Sequence, residues 1–508
     1  MDMDLCKPLT GTGIRSLVLL WCLAAVLCCA PRAGAAEAED LSGKALVTAK
    51  GGISSVNALF DGRTTESVTI RKGGYLTLES ETGIASVYLV FGKEPGSYTV
   101  TDEAAGTQET FGEDGFLHEF LDLQARFGSA PKRVTIRFEE EAVQLAELSA
   151  FGSGQVPGWV QQWQTSAQEA DLVLFSTHGD DEQLFFAGLL PYYAQERGYS
   201  VQVVYFTGHR NMSMRRSHEM LDGLWAVGVR HYPVFGPFGD YNSRSLAQAL
   251  EIYRNKGIRQ EDMLSFVVEN IRRFRPKVAV GHDLQGEYGH GMHMLYADLL
   301  CKAVAASHDP TQFPESAECY GCWDVPKTYL HLYPENEIWM DWDEPLESFG
   351  GMTAFQVTRD LGFPCHVSQQ SYYRWYFQGI EAAADIPEYS PCAYGLYRST
   401  VGPDVHKQDL FENLTTYAQD AQAEAELKAR QEASQTEPPH PSQPSSPPTE
   451  PTQTTPEPAP EPKEFSQETQ ARILPLPVIL SITLLFAAGI GLLSTKFRQN
   501  RRNSPKKK

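Results

Sequence analysis

The chain has 508 residues and carries a formal net charge of −21 at pH 7. Its length allows two or three domains. An acidic surface repels polyanions, so we expect neither nucleic acid nor a polyanionic glycan as a partner.

The amino terminus has the pattern of a secretory signal peptide. Lys7 and Arg15 precede an apolar run at residues 17–29, and small residues follow it at 33–35. The run is short for an uncleaved membrane anchor, so we predict a cleaved signal peptide over residues 1–36 and an exported mature chain.

Residues 43–153 are predicted to form an all-β domain. Short alternating segments are separated by Gly, Asp and Pro, which is typical of a sandwich of jelly-roll type. The segments 57–62 (NALFDG) and 145–151 (LAELSAF) resemble discoidin domains of the coagulation factor 5/8 C type. This resemblance implies a possible glycan ligand for the sandwich, and a purely structural role is the alternative.

Residues 158–405 are predicted to form an α/β domain with a Rossmann-like parallel sheet. Apolar strand-like segments alternate with amphipathic helical segments, which favours right-handed crossovers between parallel strands. The predicted strands are residues 171–176, 201–206 and 277–281. The predicted helices are residues 182–196, 213–227, 263–274 and 292–305.

The first predicted strand ends in a cluster of ionisable residues. His178, Asp180, Asp181 and Glu182 follow the apolar run 172–175 directly. The carboxyl ends of strands are where open α/β sheets bind ligands. His and Asp are both ligands of Zn²⁺, and helix capping is the alternative explanation for the carboxylates.

A second cluster follows the predicted strand 277–281. The segment 286–293 (GEYGHGMH) contains His290 and His293, which are three residues apart and therefore share a face at a helix start. Both clusters should lie at one edge of the sheet. Together they predict a catalytic metal site.

The paired motifs resemble the zinc-dependent PIG-L/LmbE-type de-N-acetylases over about residues 165–400. A strand ends in His178-x-Asp-Asp-Glu182, and His290-x-x-His293 follows about a hundred residues later. The segments Arg216-x-x-Glu219 and 366–369 (HVSQ) are also similar to this family. One departure is Gly179, which stands where the family usually has proline and is expected to loosen the loop.

A catalytic zinc site needs three protein ligands and an open position. We assign His178, Asp181 and His293 as the ligands. Asp180 and Asp181 are adjacent and cannot easily both reach one ion, so Asp180 is left as the general base, the role that the resemblance also implies. His290 is expected to act as a protonated imidazole that stabilises the developing oxyanion.

The resemblance implies a hydrolase that releases acetate from an N-acetylated amino sugar of the N-acetylglucosamine type, in an extracellular glycan or glycoconjugate. Zn²⁺ is the expected metal, with Fe²⁺ or another divalent ion as the alternative. Arg216 is predicted to contact the substrate, and a simple packing pair with Glu219 is its alternative role. Two other functions stay open: an amidase acting on non-sugar acylamides, and a catalytically inactive surface glycan-binding or adhesion protein.

The carboxyl-terminal part is predicted to anchor the chain. Residues 410–436 suit a polar helix, and residues 437–470 form a Pro-, Thr- and Glu-rich stalk. Residues 473–494 are long and apolar enough for a transmembrane helix, and the basic residues 495–508 belong on the cytoplasmic side. These features resemble Gram-positive bacterial surface proteins, so we expect a single-pass membrane protein with its catalytic domain outside the cell.

The remaining cysteines and histidines give no further site. The mature chain would keep an odd number of cysteines, whose pairing stays open, with a local disulfide or free thiols expected for the CxxC pair. These cysteines are Cys301, Cys319, Cys322, Cys365 and Cys392. Four histidines lack a useful spacing and are expected to be ordinary polar or packed residues, namely His209, His218, His231 and His331.

Overall fold

The computed structural model describes residues 36–53, 55–208 and 214–436. The predicted stalk, transmembrane helix and basic tail, and all but the last residue of the predicted signal peptide, lie outside these ranges. Within the described ranges, no helix is long and apolar enough to cross a membrane.

The amino-terminal region consists of two antiparallel sheets and one short helix. One sheet has the strand order β1-β3-β8-β5-β6 and the other β2-β9-β4-β7. The strands are β1 (Leu46–Lys50), β2 (Val68–Ile70), β3 (Gly74–Glu79), β4 (Ser86–Phe91), β5 (Tyr98–Asp102), β6 (Thr107–Phe111), β7 (His118–Asp122), β8 (Arg133–Phe138) and β9 (Val143–Phe151), and the helix is α1 (Leu123–Phe127). The short alternating segments predicted for this region are therefore strands.

The sheets of this sandwich share an apolar core. Alternate residues of a strand point to opposite faces, and Val87 and Leu89 of β4 are fully buried in the core. One carboxyl group is buried with them. Glu119 accepts hydrogen bonds from the Tyr98 hydroxyl at 2.6 Å and from the Gly112 amide at 2.9 Å. Burial nevertheless raises the pKa of Glu119 to about 7.

The second region is built on a sheet of seven strands in the order β12-β11-β10-β13-β14-β16-β15. Along β10 the side chains alternate between two apolar clusters, with Leu172 and Leu174 on one face and Val173 and Phe175 on the other. The sheet is therefore covered on both faces, as expected for parallel strands. The strands are β10 (Leu172–Ser176), β11 (Val201–Thr207), β12 (Val234–Phe238), β13 (Val278–Gly281), β14 (Lys327–His331), β15 (Glu337–Trp339) and β16 (Ala393–Ser399).

The prediction of a purely parallel sheet was wrong at one edge. The five strands from β12 to β14 are parallel to their neighbours, but β16 pairs antiparallel with both β14 and β15. The chain reaches β16 through the long segment between β15 and β16, which returns it to the sheet in the opposite direction. The sheet is mixed.

The predicted helix 182–196 is interrupted. An α-helix covers only Asp181–Leu184, and a π-helix follows at Pro191–Glu196. Two residues explain the break. Gly188 has a φ of +91° and packs against the Trp342 ring, and Pro191 has no amide hydrogen to donate to a continuing helix.

The other predicted helices are present with bounds shifted by a few residues, and the predicted polar helix 410–436 begins at Tyr417. The α-helices are α2 (Asp181–Leu184), α3 (Met214–Ala226), α4 (Leu246–Asn255), α5 (Gln260–Phe274), α6 (Gly291–Ala306), α7 (Pro314–Tyr320), α8 (Ala354–Val357), α9 (Gln370–Tyr376) and α10 (Tyr417–Thr436). Further π- and 3₁₀-helical turns lie at Val56–Leu59, Glu287–Gly289, Glu347–Phe349, Thr358–Gly362, Phe363–Cys365, Val367–Gln369 and Ala383–Asp385.

The sandwich packs against the α/β region through polar and aromatic contacts. The ring nitrogens His118 Nε2 and His218 Nδ1 lie 2.7 Å apart, and His218 belongs to α3. The Leu117 amide donates to the Tyr232 hydroxyl at 3.1 Å, and the rings of Phe116 and Tyr232 stack 4.6 Å apart. Helix α3 is therefore held by the sandwich on one side.

Candidate active site

The two ionisable clusters meet at one edge of the sheet. Strands β10 and β13 are parallel neighbours, so their carboxyl ends open on the same side. The chain runs from β10 to β11 on one side, and β13 lies on the other. The crevice at such a point is the usual ligand site of open α/β sheets.

Three of the predicted residues bring their ligand atoms together. His178 Nδ1 lies 3.0 Å from Asp181 Oδ2 and 3.1 Å from His293 Nε2, and these last two atoms are 3.2 Å apart. A tetrahedral ion with ligand bonds of about 2.0–2.2 Å separates its ligands by about 3.3–3.6 Å. The three donors therefore fit one face of a tetrahedral Zn²⁺ site with little movement.

The hydrogen bonds of the two imidazoles direct the correct nitrogen atoms towards this triangle. His293 Nδ1 lies 2.7 Å from Glu287 Oε2, and His178 Nε2 lies 3.2 Å from Asp240 Oδ1. When these nitrogens donate to the carboxylates, the other nitrogen of each ring keeps its lone pair for a metal. Burial lowers the pKa of His293, but Asp181 and Glu287 raise it to about 9, so a cation must displace a proton to bind.

Glu287 is the centre of a fully buried histidine cluster. Its Oε2 lies 2.9 Å from His282 Nδ1 and 2.7 Å from His293 Nδ1, and its Oε1 lies 2.7 Å from His331 Nδ1. Burial opposes ionisation, but these three histidines hold the pKa of Glu287 well below its usual range. The carboxylate fixes the ring orientation of a proposed metal ligand.

His282 lies close to the triangle but serves a different purpose. Its Nε2 is 3.5 Å from Asp181 Oδ2, and it accepts a hydrogen bond from the Thr177 amide at 3.0 Å. That bond occupies the lone pair that a metal would need. His282 therefore connects the end of β10 to Glu287.

Asp180 lies beside the triangle and faces the same cavity. It is the residue before α2, but its side chain makes no capping hydrogen bond, so helix capping does not explain it. Burial raises the pKa of Asp180, Arg216 lowers it, and Asp181 raises it again. A buried carboxyl with a raised pKa suits a group that takes up and returns a proton.

Arg216 is neither exposed nor paired only with Glu219. Its Nη2 donates to the Gly179 carbonyl at 2.6 Å and lies 3.8 Å from Asp180 Oδ1, while Nη1 donates to Glu219 Oε2 at 3.2 Å. Glu219 in turn accepts hydrogen bonds from the Ser368 amide and hydroxyl at 2.8 and 2.6 Å. The predicted 216–219 and 366–369 motifs thus form one network behind Asp180.

The departure at Gly179 has a packing reason. A Cβ atom at this position would lie 2.2 Å from Met220 Cγ and 2.4 Å from Met220 Sδ. Met220 is fully buried on α3. The methionine side chain takes the space that a larger residue would occupy, so the loop is packed rather than loose.

The surroundings of His290 in the structure oppose its predicted protonation. Burial lowers the pKa of His290, and the neighbouring His178 and His293 lower it further, to about 3. Its ring centroid lies 5.0 Å from that of His178 and 4.8 Å from that of His293. His290 is therefore a neutral imidazole near pH 7, which can still donate one hydrogen bond.

These residues surround a cavity of about 500 Å³, a size typical of small-molecule sites. His178, Asp180, Asp181, Arg216 and His290 line it, and His293 is buried behind His178 and Asp181. Its lining is completed by Leu184, Gly208, Gly239, Asp240, Tyr241, Tyr288, Gln369 and Tyr372.

Sequence reasoning missed several residues of this site. Glu287 lies inside the second cluster but was given no role, and His331 was expected to be ordinary although it binds Glu287. Asp240 follows strand β12, which was not predicted. A carboxylate two residues after a neighbouring strand was the signal that could have found Asp240.

The other cysteine and histidine predictions have mixed outcomes. All five cysteines outside the predicted signal peptide are free thiols in the structure. His209 lies outside the described residues. His218 packs against the sandwich through His118, and His231 lies 2.8 Å from the Thr165 carbonyl.

Comparison with known proteins identifies relatives of the α/β region. Residues 173–304 match the PIG-L family, described as GlcNAc-PI de-N-acetylase. A 1D-myo-inositol 2-acetamido-2-deoxy-alpha-D-glucopyranoside deacetylase of Saccharopolyspora erythraea is 28% identical over 189 residues, which are 33% of this chain and 66% of that protein. A deacetylase of the same description from Catenulispora acidiphila is 24% identical over 241 residues, or 43% of this chain and 72% of that protein. The chain spans about two thirds of the length of these relatives.

Among solved structures, the 4-carboxy-2-hydroxymuconate hydratase GalB of Pseudomonas putida is 18% identical with a TM-score of 0.30, over 48% of this chain and all of that one. The N,N'-diacetylchitobiose deacetylase of Pyrococcus horikoshii is 15% identical with a TM-score of 0.27, over 45% of this chain and 83% of that one. The family match and the deacetylases of Saccharopolyspora erythraea and Catenulispora acidiphila support the resemblance to the PIG-L/LmbE-type de-N-acetylases. The discoidin resemblance of residues 43–153 stays a prediction.

Proposed function

We propose that this chain is a metal-dependent hydrolase that removes the acetyl group from an N-acetylated amino sugar of the N-acetylglucosamine type. The observation that carries the proposal is the triangle of His178, Asp181 and His293 with the buried carboxyl of Asp180 beside it in one cavity. The PIG-L match and the names of the bacterial relatives supply the substrate class.

The donor set of two imidazoles and one carboxylate suits Zn²⁺, and Fe²⁺ is the alternative. Such an ion, once bound, lowers the pKa of a coordinated water and polarises a carbonyl group. The tight triangle and the carboxylate partner of each imidazole support a metal in this position.

The protein groups complete the hydrolysis. Asp180 takes a proton from the attacking water as the new C–O bond forms at the acyl carbon. The neutral His290 donates a hydrogen bond to the acyl oxygen as it gains negative charge. Asp180 then returns the proton to the nitrogen as the C–N bond breaks, which yields acetate and a free amino sugar.

We further propose that the enzyme works outside the cell, attached to the membrane by one helix. This part rests on the sequence patterns of residues 1–36 and 473–494. A glycan ligand for the sandwich is proposed on the discoidin resemblance alone.

The site geometry separates the proposed function from only one of its two alternatives. An amidase acting on non-sugar acylamides would use the same donors and the same base. A catalytically inactive binding protein would not need a buried Asp180 next to three converging ligand atoms, so the geometry favours an enzyme.

The test is acetate release from N-acetylated sugars and glycans by residues 37–436, which belong to one compact unit. It is run with added Zn²⁺, with chelator, and with Asp180→Ala. The exposed carboxylate variant Asp341→Asn is the control. We expect metal-dependent release that Asp180→Ala loses and Asp341→Asn keeps. Bound metal without sugar cleavage would favour the amidase. The absence of both bound metal and acetate release would refute the proposal that the chain is an enzyme.

A further inference from the structure

Two aromatic side chains next to the cavity are exposed, and one of them, Tyr372, lines it. Tyr372 is 37% exposed and Trp375 is 47% exposed, although the next residue, Tyr376, is buried. Both belong to helix α9 and are three residues apart, so they share one face of the helix. Large aromatic side chains left in solvent beside a cavity are typical of a ligand-binding surface.

This pair is continuous with the candidate active site. Tyr372 lines the cavity together with Tyr288. The Trp375 ring centroid lies 5.6 Å from that of Tyr288 and 6.3 Å from that of Tyr372. A ligand that fills the cavity and extends outwards on this side would meet Tyr372 and then Trp375.

The Trp375 side chain is partly exposed to solvent among the described residues. Its ring neighbours meet it at interplanar angles from 51° to 86°, so none of them stacks flat on it. By contrast, Arg230 lies over the Trp225 ring at 3.9 Å, and Arg275 lies over the Trp323 ring at 4.7 Å. The structure covers those two faces itself.

The surroundings of the pair indicate what could stack there. Ser371, Arg374 and Gln378, which are close to the pair in sequence, are also exposed, so polar side chains accompany the two exposed rings. A pyranose matches this arrangement, because one face presents C–H groups and the rim presents hydroxyl groups. An acyl chain would need a longer apolar surface along which to bind.

We propose that Tyr372 and Trp375 form a second sugar subsite, and that the substrate is an oligosaccharide with at least one sugar beyond the N-acetylated residue. The acetylated residue occupies the cavity, and the next sugar stacks on the indole face. This inference rests on the proposed function, since it names the substrate class of the same site.

The test compares N-acetylglucosamine with its disaccharide as substrates of the full chain. We expect Trp375→Ala to lower kcat/KM for the disaccharide about five- to tenfold through KM, and to change the monosaccharide less than about twofold. Trp375→Phe keeps a ring and should keep most of the difference. Trp339→Ala removes an equally exposed tryptophan from strand β15 and serves as the control.

Three results would overturn the subsite. These are an equal loss on both substrates, no loss on the disaccharide, and a loss confined to an alkyl glycoside of N-acetylglucosamine, which would show that the surface binds an apolar tail. If Trp375→Ala does not fold, Trp375→Leu, which keeps an apolar side chain but no ring, takes its place in the same comparison.

A binding titration separates this inference from the proposed function. Wild-type chain that binds the disaccharide more tightly than the monosaccharide, and loses that difference in Trp375→Ala, supports the subsite even if no acetate is released. Acetate release with no difference in binding would keep the enzyme and refute the subsite.

Discussion

Glu287 Oε2 lies 2.7 Å from His293 Nδ1, while His293 Nε2 faces His178 and Asp181 at 3.1 and 3.2 Å. One imidazole therefore joins a buried carboxylate to the proposed metal position. This relationship sets which nitrogen of His293 carries the proton.

We expect Glu287→Gln to weaken Zn²⁺ binding by about 10–100-fold. The amide NH₂ of glutamine would donate to a histidine nitrogen, which favours the tautomer with the proton on Nε2 and blocks the metal lone pair. Chelator competition measures the affinity. Glu119→Gln alters a buried carboxyl in the sandwich and should leave the affinity unchanged. Equal affinities of Glu287→Gln and wild type would contradict this role.

Arg216 can be tested by separating kcat from KM. Both of its Nη atoms are engaged by Gly179 and Glu219, so we expect Arg216→Gln to lower kcat about 10–100-fold by misplacing Asp180. KM should change little. The neighbouring, exposed Arg215→Gln is the control. A rise in KM at constant kcat would instead support the predicted contact with substrate.

Gly179 and Met220 should be energetically coupled. We expect Gly179→Ala to reduce the free energy of unfolding by about 1–3 kcal/mol, because the new methyl group overlaps the Met220 side chain. Met220→Ala removes the overlap, so the double variant should be more stable than the sum of the single changes implies. Denaturant unfolding of the four proteins gives the coupling, and strict additivity would show that the overlap relaxes at no cost.

Glu119 should make stability depend on pH. Its pKa is raised from 4.5 to about 7 in the folded chain. The protonated carboxyl group of Glu119 is favoured by folding, so its contribution to the stability of the folded chain is complete below about pH 4.5. This contribution is lost as pH rises through about 7. The loss should be at most about 3 kcal/mol.

Denaturant unfolding between pH 5 and pH 8 measures this effect. Glu119→Gln should flatten the pH dependence, whereas the exposed Glu103→Gln should keep it. An unchanged slope in Glu119→Gln would assign the dependence to another group.

The parts of the site that sequence could predict follow from local patterns. His178 and Asp181 directly follow an apolar strand, and His293 lies three residues after His290 at a helix start. Parallel strand ends must meet at one edge of a sheet, so these residues could be placed together without coordinates.

The remaining features depend on distant pairings. His331 reaches Glu287 from β14, 44 residues along the chain, and no periodicity links the two positions. The direction of β16 depends on a long connection with no regular pattern. The neutral state of His290 depends on burial in the folded chain, and the residues next to His290 in sequence do not reveal that burial.

Helix α3 places Arg216 next to Gly179 and the proposed base Asp180, while His218, two residues later, touches the sandwich through His118. The position of the proposed base Asp180 thus depends partly on the sandwich, although none of the described side chains of the sandwich lines the cavity. Removing the sandwich would remove the contact between His118 and His218 that holds one side of helix α3. The proposed hydrolase activity is therefore expected to be lost when the sandwich is removed from the α/β region.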